Sequence, residues 1–318
     1  MVDFKIFLEN YFEAQDDELE FVNYSEHFID APCNIYIIGC RPRVTIDKDY
    51  LVHNKNEIEL LFKVQNEFNF IETKGKLPLE REVKGDLMLE TNFPYSRFNI
   101  KDDLGYFFHG SEYQNKKDLK LKASYSLRVS NTDFDKTLIN DFKALYIGQS
   151  IKMNKKLSPI KRLKSHSNFQ RILSKCVSEY VDKEIYLILC SFVGKVGLST
   201  VPEELLKVGD IGSYLRKLNS ESNELTNDTK LITDIAEAAL IDYFDTRNFN
   251  SDFIGSFGKK THSYFKTLNE SIVDKLVVEI DLNNLCRIYS DSIERKKHHG
   301  IAYNIKKDFQ RDFFNAEM

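Results

Sequence analysis

The stretch Ala144–Ser150, ALYIGQS, decides how this chain is read. Ala144, Leu145, Tyr146 and Ile147 are apolar or β-forming and predict a buried strand. Gly148 stops it, and polar Gln149 and Ser150 follow. The next segment, IKMNKKLSPIKRLKSH, is basic. Lys152, Lys155, Lys156, Lys161, Arg162 and Lys164 fall in it with no acidic residue between them. A strand that ends in glycine and runs into cations fits a phosphate loop, a plain hairpin edge or half of a nuclease site. A Walker-type loop needs several glycines and a Gly-Lys-Ser/Thr ending, because backbone N–H groups must wrap the phosphates. A dinucleotide fingerprint needs G-x-G-x-x-G. YIGQSIKMNKK has neither, which leaves the hairpin edge and the nuclease half-site.

Around this stretch the elements alternate. KASYSLRVS (122–130) predicts a strand, NTDFDKTLINDF a connection with a helical turn, and EIYLILCSF (184–192) a strand apolar on both faces and so central. Ser158 and Pro159 predict an N-cap and first turn for a helix running on from PIKRLKSHSNF. Asn227 or Asp228 caps a second helix, TKLITDIAEAALIDYFDTRNFN. Further upstream, Phe4, Phe7, Leu8, Tyr11 and Phe12 stand at helical spacing and predict a helix within 1–30. From 31 to about 120, CNIYIIGC, RVTID, KGDLMLET and LGYFFHGSEY read as short strands, and NEIELLFKVQNEF fits strand or helix. KLVVEIDL predicts a strand near the C-terminus, ahead of a very polar end. The fold class expected is α+β: a small mixed β-sheet flanked by helices, beside a β-leaning mixed N-terminal domain. The boundaries expected are 1–120, 121–255 and a C-terminal extension at 256–318 with a strand and a polar helix.

The whole-chain figures fit such a protein. It has 318 residues, 42% of them hydrophobic, enough for a sizeable core. Its net charge of −4 means that any contact with nucleic acid must come from a local basic patch. Five cysteines, with no Cys-x2–4-Cys spacing, argue against structural zinc and fit a reducing compartment. The acidic N-terminus is not that of a signal peptide. No apolar run approaches the roughly 18–20 residues that cross a bilayer. A soluble, cytoplasmic protein is expected, with no membrane association.

Two further patterns bear on chemistry. Arg162 and His166 are four apart, so on a helix they share a face. Glu237 lies on a helix apolar almost all round, between Leu240, Ile241 and Phe244 at 100° steps. A carboxylate there must reach solvent at a cleft or meet a cation, because burying it unpaired is costly. Paired with a lysine it would be structural; unpaired it could hold a metal. His298 and His299 in ERKKHHG have no matching ligands near them in sequence and read as ordinary residues.

Taken in order, these residues resemble the GIY-YIG nuclease domain over about 121–252. That family carries a tyrosine ending one strand and Tyr-Ile-Gly on the next. A helix follows with Arg and His four apart, then a metal-binding Glu on a later helix and an Asn about a dozen residues on. Tyr146-Ile147-Gly148, Arg162, His166 and Glu237 match, with Asn250 as the asparagine and Asn248 as its alternative. For the first half-motif, Tyr125 stands in Ala-Ser-Tyr where Gly-Ile-Tyr would. The resemblance implies a metal-dependent endonuclease acting on DNA, with RNA left open, in restriction or anti-phage defence. It implies that Tyr125 takes a proton from water while Tyr146 and His166 position water or phosphate. Arg162 clamps a phosphate oxygen, Glu237 holds Mg²⁺ (or Mn²⁺), and Asn250 acts as a hydrogen-bonder. Lys152, Lys155, Lys156, Lys161 and Lys164 would line the DNA. The N-terminal region would recognise DNA or a protein partner, and a homo-oligomer is possible. The competing expectation is a non-catalytic nucleic-acid-binding or scaffold subunit of a larger complex.

Overall fold

The computed structural model describes residues 1–15, 33–66, 69–79, 81–106, 120–149, 167–200, 211–250, 257, 263–283, 285–307 and 310–312. The described residues form mixed α and β structure in two compact units. The first unit comprises 1–40, 142–176 and 185–318. The second comprises 41–141 with 177–184. Both units are thus discontinuous in sequence, and neither 120 nor 255 separates them.

The first unit is built on a mixed sheet of eight strands. In chain order these are β1 (Val2–Ala14), β2 (Ile35–Pro42), β10 (Phe142–Gln149), β11 (Lys183–Leu198), β12 (Lys275–Asp281), β13 (Ile288–Tyr289), β14 (His298–Asn304) and β15 (Gln310–Asp312). Their order across the sheet is β13-β10-β2-β11-β1-β12-β14-β15. β11, expected to be central, lies between β2 and β1.

The helix expected near the N-terminus is instead strand β1 over Val2–Ala14; residues 16–32 lie outside the described residues. Phe4, Ile6, Phe7, Leu8, Tyr11 and Phe12 are apolar or aromatic, so the run fits a helical period as well as partial alternation. Pairing decides between them. β1 runs antiparallel to β11 and parallel to β12, and Val2, Phe4 and Ile6 are fully buried while Asp3 and Lys5 alternate outward. The C-terminal residues do not stand apart from this core. β12 and β14 are full members of the sheet, and the one helical segment among the described residues after Glu270 is a 3-10 turn at Ile305–Lys307.

The second unit holds β3 (Val44–His53), β4 (Glu57–Asn66) and β5 (Asn69–Pro78) as one antiparallel sheet. β6 (Met88–Thr91), β7 (Arg97–Asp102), β8 (Gly105–Tyr106) and β9 (Leu121–Lys122) form another. Over Glu57–Asn66 the ambiguous stretch NEIELLFKVQNEF is a strand, with Ile58, Leu60, Phe62 and Val64 buried on one face. Two short helices follow, α1 (Ala123–Val129) and α2 (Thr137–Asn140). The segment KASYSLRVS, expected as a strand, is mostly helix α1. Its burial has helical period: Ala123 and Leu127 enter the core, whereas Tyr125 and Val129 are each 54% exposed.

Four more helices belong to the first unit in whole or in large part: α3 (Ser167–Glu179), α4 (Ile211–Asn227), α5 (Thr229–Phe244) and α6 (Ser263–Glu270). Asp228 caps α5 as expected, its carboxylate accepting the Leu231 N–H at 2.9 Å. α5 buries Leu231, Ile235, Ala239, Leu240 and Phe244 against one sheet face, which supplies Ile35, Ile37, Ala144 and Ile147.

Candidate functional site

The strand around which the sequence reading turns, β10, pairs antiparallel with β2. In register, Cys40 faces Lys143, Ile38 faces Tyr146, and Tyr36 faces Gly148. A bulge at Leu145 lets Ala144 and Ile147 share the α5 face. Alternation then sends Tyr36, Tyr146 and Gly148 to the other face. There the rings of Tyr36 and Tyr146 lie 5.8 Å apart between centroids, and Tyr36 meets Phe169 of α3 edge to face at 6.5 Å. Gly148 permits this arrangement. A Cβ at that position would lie 2.7 Å from the Tyr146 ring and 2.7 Å from both the ζ carbon and the hydroxyl of Tyr36.

Thus the tyrosine that neighbours Tyr146 is Tyr36, in Asn34-Ile35-Tyr36. Tyr125 sits exposed on α1 in the second unit. The signal for Tyr36 is present in CNIYIIGC, an Ile-Tyr pair in a strand buried on both faces. Its partner strand follows only after residues 41–141 of the second unit, so sequence proximity points elsewhere. Asn34 fixes the start of β2. Its side chain donates to the Phe192 carbonyl at 2.8 Å and accepts the Phe192 N–H at 2.9 Å.

Asn250 meets the same strand from its other edge. β13 covers β10 only at Phe142 and Lys143. Further along, the Asn250 side chain takes the place of a strand. Its Oδ1 accepts the Ile147 N–H at 3.2 Å, and its Nδ2 donates to the Ile147 carbonyl at 2.6 Å. Thr246 Oγ1 donates to the same Oδ1 at 2.9 Å. Asn248, the alternative, lies in the 3-10 turn Thr246–Asn248. Beside Asn250, the Phe249 ring carries the Lys175 ammonium of α3 at 4.5 Å.

Gln149 ends β10 on the α5 face, and Glu237 meets it there. Gln149 Nε2 donates to Glu237 Oε2 at 2.8 Å and to Asp234 Oδ1 at 2.9 Å. Lys230 pairs with Asp234 at 2.5 Å. Among the described residues Glu237 makes no ion pair. Burial pushes its carboxyl up to about 7; the Gln149 hydrogen bond opposes that rise and the nearby Asp234 adds to it.

Of the expected site residues, Asn250 and Glu237 meet β10 at Ile147 and Gln149, whereas Tyr146 lies on the sheet face opposite Glu237. Arg162, His166 and the five lysines, Lys152, Lys155, Lys156, Lys161 and Lys164, lie outside the described residues. His299 is structural. It is buried, its Nε2 lies 2.9 Å from the Ile288 carbonyl, and its Nδ1 lies 2.9 Å from the Tyr243 hydroxyl. With carbonyls at Nε2, that nitrogen carries the proton and Nδ1 accepts from Tyr243. His298 is exposed.

No group of three or more His, Cys, Asp or Glu side chains among the described residues is arranged to hold a metal. One or two carboxylates with water and phosphate oxygens are nevertheless how Mg²⁺ is commonly held, and an all-oxygen donor set suits it. Glu237, anionic above about pH 7 and without a cation partner among the described residues, fits that use. No helix among the described residues is long and apolar enough to cross a membrane. Comparison with protein-family models, curated proteins and solved structures finds no match.

Proposed function

We propose that this chain is a metal-dependent endonuclease of the GIY-YIG type, hydrolysing phosphodiester bonds of DNA. The observation that carries the reading is the antiparallel pair of Asn34-Ile35-Tyr36 and Tyr146-Ile147-Gly148. Two phenols lie side by side over a glycine, and the next residue of the same strand, Gln149, is tied to Glu237 on the opposite sheet face. On this reading Tyr36 takes the role that sequence proximity gives to Tyr125, and residues 41–141 of the second unit are an insertion between the two half-motifs. Its use in restriction or anti-phage defence is part of the same proposal.

The division of labour follows from the chemistry. Tyr36, as the phenolate or by passing its own hydroxyl proton on through a relay, would take the proton of the attacking water, and Tyr146 would orient that water. Glu237, with Asp234 three residues before it, would hold one Mg²⁺ or Mn²⁺. When bound, the ion supplies charge neutralisation at the phosphate and the leaving oxygen. Asn250 holds the strand end in register and does not react. Arg162 keeps its proposed place as a phosphate clamp, and His166 its place beside it.

The test is cleavage of plasmid DNA with Mg²⁺ or Mn²⁺. Tyr36→Phe is expected to lower the rate by roughly 100-fold or more, the usual scale for losing a general base, while Tyr125→Phe leaves it unchanged. Glu237→Ala is expected to abolish cleavage and retain DNA binding. Wild-type protein that never cuts DNA or RNA with either ion would sink the enzyme reading. Equal losses for Tyr36→Phe and Tyr125→Phe would sink the assignment of Tyr36.

A further inference from the structure

The second unit holds one aromatic ring out in water. Phe93 is 85% exposed, more than any other large apolar side chain among the described residues. It stands in the connection 92–96 between β6 and β7. Hydrogen bonds pin this connection on both sides. The Tyr95 N–H donates to the Asn92 carbonyl at 2.7 Å, and the Ile46 N–H of β3 donates to the Tyr95 carbonyl at 2.9 Å. The Ala123 N–H donates to the Ser96 carbonyl at 2.9 Å, and Thr91 Oγ1 to the Arg97 carbonyl at 2.7 Å. Tyr95 has a φ of 66°, a left-handed conformation that costs an aromatic residue energy, and its side chain packs on the core of the unit. The Phe93 ring meets the Tyr95 ring edge to face at 6.0 Å. The fold therefore fixes this ring in water, although burying it would be the more stabilising arrangement.

Cations stand at the foot of the turn. Arg97, the first residue of β7, lies directly opposite Lys122 of β9, and directly opposed strand residues share a face. Both are partly exposed. Two like charges so placed favour an anion beside them. Further along that face Lys101 is paired with Glu90. On the β3 side Lys48 is exposed and bonded to Asp49.

We propose that Phe93 is a base-stacking residue: the turn enters an opened or single-stranded stretch of DNA, the ring lies against a base, and Arg97 and Lys122 meet the flanking phosphates. This rests on DNA being the ligand of the chain, and not on the site that cuts it. Every base offers a π-face, so one projecting ring gains affinity without reading sequence. Cations beside it track the backbone. A ring that anchors a protein partner sits among contacts that exclude water. Around Phe93 the neighbours in the chain are exposed Asn92 and Pro94 and polar Ser96, which suits a ring that inserts by itself.

The test is binding of the full chain to a fluorescein-labelled single-stranded oligonucleotide, read by anisotropy in EDTA. Phe93→Ala is expected to weaken binding roughly 5- to 100-fold, the scale of one lost base stack, with its salt dependence unchanged. Arg97→Ala is expected to lower the slope of log affinity against log salt by about one. The chain contains no tryptophan, so Phe93→Trp places a single reporter at the tip. That variant is expected to bind as tightly as wild type and to lose most of its tryptophan emission when DNA saturates it. Unchanged affinity in Phe93→Ala would overturn the proposal. So would tryptophan emission that stays constant while anisotropy records binding. Loss of self-association in Phe93→Ala, with DNA affinity intact, would overturn it in favour of a second copy of the chain as the occupant. A chain that binds through Phe93 and cuts nothing fails the nuclease reading alone. A chain that cuts DNA and binds it equally well as Phe93→Ala fails this proposal alone.

Discussion

Glu237 is the residue at which stability and proposed function oppose each other. The folded chain holds its proton up to about pH 7, against an ordinary value near 4.5. A carboxyl whose folded pKa is raised contributes its stability in full below the unfolded pKa. That contribution is lost as pH rises through the folded pKa. Between about pH 4.5 and 7, ionising Glu237 should therefore cost the metal-free protein about 3 kcal/mol. Glu237→Gln removes that cost. Urea unfolding at pH 8 should show the variant more stable by up to that amount, and at pH 4 the two proteins should agree closely. Mg²⁺ or Mn²⁺ should stabilise the wild type at pH 8 and leave the variant unchanged. Identical pH dependence in the two proteins would mean that Glu237 is solvated and ordinary. Glu237 was legible in the sequence because an acid set between Leu240, Ile241 and Phe244 on an apolar helix requires an explanation whatever the fold. Tyr36 was not, because nothing local distinguishes it from other strand tyrosines. Only the pairing of β2 with β10, across residues 41–141, gives it a neighbour.

At the scale of elements, the decisive feature is how β10 is held. Its first two residues have β13 as a neighbour, and its far half has Asn250. Asn250→Ala would leave the N–H and carbonyl of fully buried Ile147 without that partner, and Thr246 Oγ1 without its acceptor. The expected loss is about 3 kcal/mol, from two or three hydrogen bonds with buried polar atoms left behind. Thermal unfolding should report it. Because Tyr146 and Gly148 flank Ile147, cleavage should fall as well, even though Asn250 touches no substrate in the proposed reaction. A variant as stable as wild type would show that the Asn250 contact is dispensable. The elements themselves were legible where one period dominates. The cap at Asp228, strand β11 and strand β10 follow from local patterns. Strand β1 and helix α1 do not: β1 is apolar enough to fit either period, and α1 has β-forming Tyr125 and Val129 on its exposed face. In both, tertiary burial overrides the local pattern.

For the whole molecule, the chain leaves the first unit at Cys40 and returns at Phe142, one residue from Lys143, the strand partner of Cys40. Tyr36 and Gly148 pair about 15 Å further along the same two strands, at roughly 3.3 Å per residue. Residues 41–141 of the second unit are thus inserted in sequence between neighbouring positions of one strand pair. That unit also has its own core, built on Val44, Ile46, Leu60, Phe62, Phe98 and Leu127. The β4–β5 sheet of this unit carries a ladder of matched charges. Lys63 pairs with Asp47 and Glu72, Lys74 with Glu59, and Lys76 with Glu57. Cations already paired within a sheet offer little field to a phosphate backbone. Both observations lead to one experiment. Replacing 42–141 by Asn-Gly would join Arg41 to Phe142 through a two-residue turn suited to antiparallel strands. The shortened chain is expected to unfold in one cooperative transition, because the cluster joining α5 to the sheet remains whole. It is expected to keep metal-dependent cleavage, with any change confined to which DNA is cut. Loss of the cooperative transition would show that the two units share one stability. A folded chain without cleavage would make the second unit part of the catalytic machinery, which the placement of Tyr36, Tyr146 and Glu237 in the first unit argues against.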